Sequence, residues 1–201
     1  MKKRLLIIGL VLSLFLTMAV PGTAVANTEA VKCSSTTFTA VAEVAVVDPG
    51  TSTQYGLTIV TRGEKIQGQF VYADWDSMDG ATLGVSHNSI IRLTPPDETG
   101  AGTFAGSAWA IIIVNLSDGA GTLFGTYRAT LTGVYQMMTD GIIFDNVVDS
   151  GQFAVVGRDG SSFVTASGDW MATLYKLEVA PGVYTLAGEA EIAGEYQTLG
   201  Y

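Results

Sequence analysis

His87 is the only histidine in this 201-residue sequence, and histidine is the side chain whose ordinary titration range lies nearest neutral pH. It shares an alternating run with Ala81, Leu83, Val85, Ile91 and Leu93, so a strand there points it toward an apolar interior. An inward imidazole can serve as acid, base or ligand-orienting group. The alternative is a hydrogen-bonded core histidine, which the lack of a partner nearby in sequence favours. Ser86 precedes it, but Gly84-Val-Ser86-His-Asn88 lacks the second glycine of a nucleophile elbow. Strand neighbours also face opposite ways, so Ser86 and His87 cannot pair, which argues against a serine hydrolase.

The carboxylates form two groups. Asp74-Trp-Asp76-Ser-Met-Asp79-Gly80 alternates acids ahead of a turn glycine, a pattern that suits a calcium ion. Asp79 comes one residue late for an EF-hand and no Glu closes the loop, so an acidic hairpin turn is the better reading of Asp74, Asp76 and Asp79. Asp140, Asp145 and Asp149, with Asn146, are spaced more loosely and could bind calcium only by meeting the first group in space. One histidine and one cysteine are too few for a structural zinc. No cofactor is expected, calcium being the one that these residues leave open.

The aromatics divide by face. Trp170 falls with Val164, Ala166, Ala172 and Leu174, leaving Asp169 outside. Trp109 lies opposite Phe104 and Ala108, and Trp75 sits in the acidic turn, so these two are candidates for a surface that stacks on sugar rings.

The elements that must position these groups are strands. Runs rich in Val, Thr, Ile, Tyr and Phe end in Gly, Asp, Pro or Ser clusters. Strands are expected at about 36–47, 54–62, 65–74, 81–93, 102–116, 121–136, 151–157, 162–175 and 182–196. Turns are expected at Asp48-Pro49-Gly50, Arg62-Gly63-Glu64, Asp79-Gly80, Asp118-Gly119 and Asp159-Gly160. The expected fold is all-β: a single antiparallel barrel of about eight to nine strands spanning 36–201, after a signal peptide at 1–26 and a short extension at 27–35. Glycines recur on the apolar side, at Gly106, Gly125, Gly168 and Gly188. A strand that gives up packing volume there is bending or letting another backbone approach, as a small closing barrel requires. Such a barrel is filled by side chains or holds one small ligand. In the second case Phe104, Tyr127, Trp170 and Tyr184 are the expected walls, and His87 is the group that orients the ligand.

The segment Gly160-Ser-Ser-Phe163-Val-Thr-Ala166-Ser-Gly168 resembles the glycine-flanked strand of allene-oxide-cyclase-like and dirigent-like barrels, and Gly102-Thr-Phe104-Ala-Gly106 echoes its opening. The resemblance covers about a quarter of the chain. It implies an eight-stranded antiparallel barrel with an apolar cavity, often in an oligomer. No catalytic residue of that family matches a position here, so no activity comes with it.

Lys2, Lys3 and Arg4, the apolar run Leu5 to Val20 and Ala24-Val25-Ala26 read as a secretory signal cleaved before Asn27. The run would anchor the chain only if left uncleaved. Cys33 follows Lys32, unlike a lipid-modified cysteine. Removing the signal takes three basic residues and none of the 19 acidic ones, so the net charge moves from −9 to −12. That surface repels phosphate backbones, which argues against nucleic-acid binding. A 48% hydrophobic content excludes a disordered chain. The expectation is a secreted, extracytoplasmic barrel without an integral membrane segment. Its role would be non-enzymatic, either binding a small apolar ligand or acting as a structural module. The alternatives are a cofactor-free cyclase or isomerase, and a glycan-binding or interaction surface. In the last case the Trp109–Val114 stripe would bury against another subunit as a homo-oligomer. An outer-membrane barrel is less consistent, because Glu195 and Gln197 break the apolar alternation near the end.

Overall fold

Strands with all their apolar side chains on one face hide that face, and leave no open edge, when the sheet curls until it closes on itself. The computed structural model describes residues 33–200, so the signal peptide, residues 27–32 of the extension and Tyr201 lie outside the described residues. Nine strands form one antiparallel sheet: β1 (Cys33–Asp48), β2 (Thr51–Tyr55), β3 (Thr58–Ala73), β4 (Thr82–Leu93), β5 (Ala101–Asn115), β6 (Gly121–Met138), β7 (Gly141–Asp159), β8 (Ser162–Ala180) and β9 (Val183–Leu199). From β3 to β9 each strand pairs with the next, and β1 pairs with both β9 and β3. Eight strands therefore close into a barrel. The ninth, β2, takes over the edge of β3 at Thr58–Arg62, beyond the stretch that β1 occupies.

Three boundaries differ from the sequence reading. The stretches expected as separate strands at 54–62 and 65–74 are mostly one strand, β3, because Arg62-Gly63 makes a bulge rather than a turn. Asp48-Pro49-Gly50 does not fold β2 back on β1; it links two segments that pair with the same edge of β3. β7 extends well beyond 151–157, because its first half continues through a second bulge at Asn146.

The inward glycines are sites of close backbone approach. A Cβ at Gly125 would collide with the carbonyl oxygen of Ala154, and one at Gly168 with that of Ala193. These contacts let neighbouring strands cross tightly inside a narrow barrel.

Antiparallel order gives the barrel two unlike ends. At the first, the segment joining β3 to β4 folds inward and buries Trp75, Met78 and Ala81, while Leu116 closes in from the β5–β6 connection. Trp75 stacks on Tyr196 with ring centroids 4.2 Å apart and meets the edge of Phe38 at 5.4 Å. The Ser117 N–H donates to the Ser77 carbonyl at 2.8 Å, and the Ser77 hydroxyl donates to Asp159 at 3.0 Å. This end is plugged. At the other, the β6–β7 and β8–β9 hairpins and the β1–β2 link surround an opening.

Candidate functional site

Two carboxylates enter the barrel, each beside a bulge. On β3, Thr61 pairs with Ser89 and Glu64 with His87, so Arg62 and Gly63 are the extra residues and Gly63 has φ +68°. The added length reverses the alternation and turns Glu64 toward the inward His87. On β7 the register slips between Val134–Asp145 and Thr132–Val148, with Asn146 at φ +48°. Asp149 then falls opposite the inward Leu131 and is 3% exposed.

These acids meet the aromatics in one internal layer. Register carries it across the sheet from Glu64 to His87, Ala110 and Tyr127. Ala110 between them leaves space for the His87 and Tyr127 rings to stack, with centroids 6.2 Å apart. Trp170 stacks against Tyr127 at 6.0 Å. The Tyr127 hydroxyl donates to Asp149 Oδ2 at 2.7 Å. Glu64 Oε2 lies 2.7 Å from His87 Nδ1 but off the ring N–H direction, which makes it a close charge contact rather than an aligned hydrogen bond. Burial pushes the Asp149 carboxyl up from its ordinary range, against the lowering effects of the Tyr127 hydroxyl and of His87. Burial, then the Asp149 charge, pushes the Tyr127 phenol far up, so it stays a donor.

The opening at the unplugged end is a pocket of about 940 Å³. Val46, Ile59, Ile142, Phe144 and Leu186 supply apolar lining, Tyr184 and Lys176 contribute from the β8–β9 hairpin, and Glu64 lines it too. Glu64 thus belongs both to the pocket and to the internal layer. A second depression, of about 590 Å³, lies across β7, β8, β9 and β1, with Thr39, Gln152, Asp169, Met171 and Glu191 in its lining.

The residues singled out in the sequence fall in several places. His87, Tyr127 and Trp170 come together in the layer described. Phe104 is buried elsewhere, edge-on to Phe144 at 5.2 Å, and Tyr184 is 39% exposed at the opening rather than inside. Trp109 is exposed, but Trp75 is not a surface residue: it is 4% exposed because it forms the plug. The two cannot make a paired sugar-stacking platform.

Asp74 accepts the Thr39 N–H at 2.6 Å and the Thr39 hydroxyl at 3.1 Å, and Asp79 accepts the Ala73 N–H at 3.1 Å. Their oxygens tie the plug loop to the barrel, and Asp76 joins them in no cluster; no three His, Cys, Asp or Glu side chains are grouped to hold a metal among the described residues. Asp149 leaves the loose loop group of Asp140 and Asp145 altogether. Glu64 and Asp149 were missed as interior groups because a turn was expected at Arg62-Gly63-Glu64 and a strand only from 151; the signal available was alternation, which sets Glu64 with the buried Ile66 and Phe70 and Asp149 with the buried Phe153 and Val155.

No family model matches the chain, and no curated protein matches it. Among solved structures it aligns with neisserial surface protein A at 8% identity, over 85% of this chain and 99% of that one, with a TM-score of 0.18. A likeness at that level carries nothing further.

Proposed function

We propose that this protein is a non-enzymatic, extracytoplasmic carrier or binder of a small apolar ligand, taken in through the unplugged end of the barrel. The observation that carries this reading is the partly apolar pocket of about 940 Å³ that reaches an ionisable group of the internal layer, Glu64. Its size is that of small-molecule sites, and apolar walls interrupted by polar groups such as Gln54, Glu64 and Lys176 can hold and orient a bound molecule. The outer face carries charged and amide side chains together with exposed apolar ones, Ile90, Trp109, Ile111, Phe124 and Met171 among them. Glu43, Lys65, Gln67, Gln69, Arg92, Arg128 and Glu189 are exposed there, while the inward face is nearly all apolar. A transmembrane barrel is polar within, and this interior is not.

The test is twofold. An organic extract of the protein purified from its native secretion is examined by mass spectrometry, and binding of the neutral dye Nile red is followed by fluorescence. Leu186→Trp, which fills the opening, should weaken Nile red binding by about tenfold or more, as expected for loss of several buried apolar contacts. An empty extract together with no Nile red binding would end the reading.

A cyclase or isomerase of the kind the resembled barrels perform is the second reading. Its support is the Glu64–His87 contact at the pocket, which could move a proton on a bound substrate. Conversion of an unsaturated lipid-like substrate that disappears in Glu64→Gln would establish it in place of the carrier.

A further inference from the structure

Three residues inside the barrel carry polar atoms without a hydrogen-bond partner: His87 at both ring nitrogens, Asp149 at Oδ1 and Trp170 at Nε1. They are 4%, 3% and 7% exposed. Nitrogen and oxygen buried this deeply ordinarily find partners, and each one left without costs stability. All three surround one ring. His87 and Trp170 each stack against Tyr127, and Asp149 accepts the Tyr127 hydroxyl. The two bulges are what bring the acids there, and Glu64 connects this layer to the pocket.

Resting on the ligand-binding reading, we infer that the layer receives the neutral hydroxyl head of an apolar molecule and rejects a carboxylate head on the same chain. The argument is one of donors and acceptors. Asp149 Oδ1 needs a donor and the Trp170 N–H needs an acceptor. A hydroxyl is the smallest head group that is both. A carboxylate brings acceptors only and leaves Asp149 Oδ1 without a donor. An ammonium brings donors only and leaves the indole N–H without a partner. A fatty alcohol or a ring system carrying one hydroxyl is therefore the ligand class, and a fatty acid is not.

Displacement of Nile red by 1-decanol, decanoate and decylammonium at neutral pH tests this on the secreted chain. 1-Decanol should displace the dye at a concentration about tenfold or more below either charged probe, the effect of one hydrogen bond to a buried polar group. Asp149→Asn supplies a donor where the carboxylate oxygen stood, and Trp170→Phe deletes the indole N–H while keeping a ring. Each should reduce the preference to about threefold or less, with circular dichroism reporting the fold. Should either variant fail to fold, the ranking of the three probes on the unaltered chain decides alone. Decanoate or decylammonium displacing as well as 1-decanol would overturn the hydroxyl assignment and leave ligand binding standing. Nile red bound but released by none of the three would overturn it equally. An empty extract with no dye binding would remove the underlying reading, and this inference with it.

Discussion

Tyr127 and Asp149 make the one buried hydrogen bond between side chains in the internal layer, and each depends on the other. Tyr127→Phe leaves Asp149 buried with neither oxygen paired, so a loss of about 1–3 kcal/mol is expected in urea denaturation. Asp149 itself is under tension, because burial raises its folded-state pKa above the unfolded value. Across the window between those two values the folded state holds more protons than the unfolded one, so stability falls as pH rises. Asp149→Asn removes that dependence and still offers an oxygen to Tyr127. The variant should therefore gain on the unaltered chain as pH rises from the acidic side of the window toward neutral. Urea midpoints at several pH values check the sign; a difference that stays constant with pH would mean that Asp149 does not titrate as described.

At the scale of elements, the bulges decide which side chains enter the barrel. Gly63 sits at φ +68° with nothing within 4 Å of where a Cβ would lie, so Gly63→Ala introduces backbone strain without a clash. Its expected cost is about 1–2 kcal/mol in denaturation, the penalty of a left-handed conformation for a residue with a Cβ. A cost near zero would show that the bulge does not hold Glu64 inward.

The same bulges mark the limit of what could be read from the sequence. Strict alternation places Tyr127, Trp170 and His87 inside, where they are buried, because β4, β6 and β8 run without interruption through those positions. Glu64 and Asp149 were not legible, because Arg62-Gly63-Glu64 has the composition of a turn and Asp140, Asp145, Asn146 and Asp149 that of a loop, although each stands at the start of a regular strand segment after its bulge. The recurring inward glycines were legible as a property of barrels, and Gly125 and Gly168 do meet neighbouring carbonyls. Trp75 was not legible as a plug, because its burial depends on a loop folding back over Phe38 and Tyr196, contacts that no local pattern encodes.

For the whole molecule, a barrel packed solid at one end and open at the other separates the plug that holds the fold from the opening proposed to take a ligand. Trp75→Ala empties part of the plug and should cost about 3–5 kcal/mol. Trp109, 56% exposed on the outer face, should change stability by about 0.5 kcal/mol or less when truncated to alanine. Equal losses at the two tryptophans would mean that the outer stripe is covered, as in an oligomer. The most direct measurement is an amide-resolved NMR titration of the chain from Asn27 onward with 1-decanol. Perturbations should gather at Val46, Ile59, Thr61, Ile142 and Leu186 and extend to Glu64 and Asp149, while Met78 and Leu116 at the plug stay unmoved. Perturbations confined to the outer face around Trp109 and Phe124, or none at saturating probe, would contradict a ligand site at the open end.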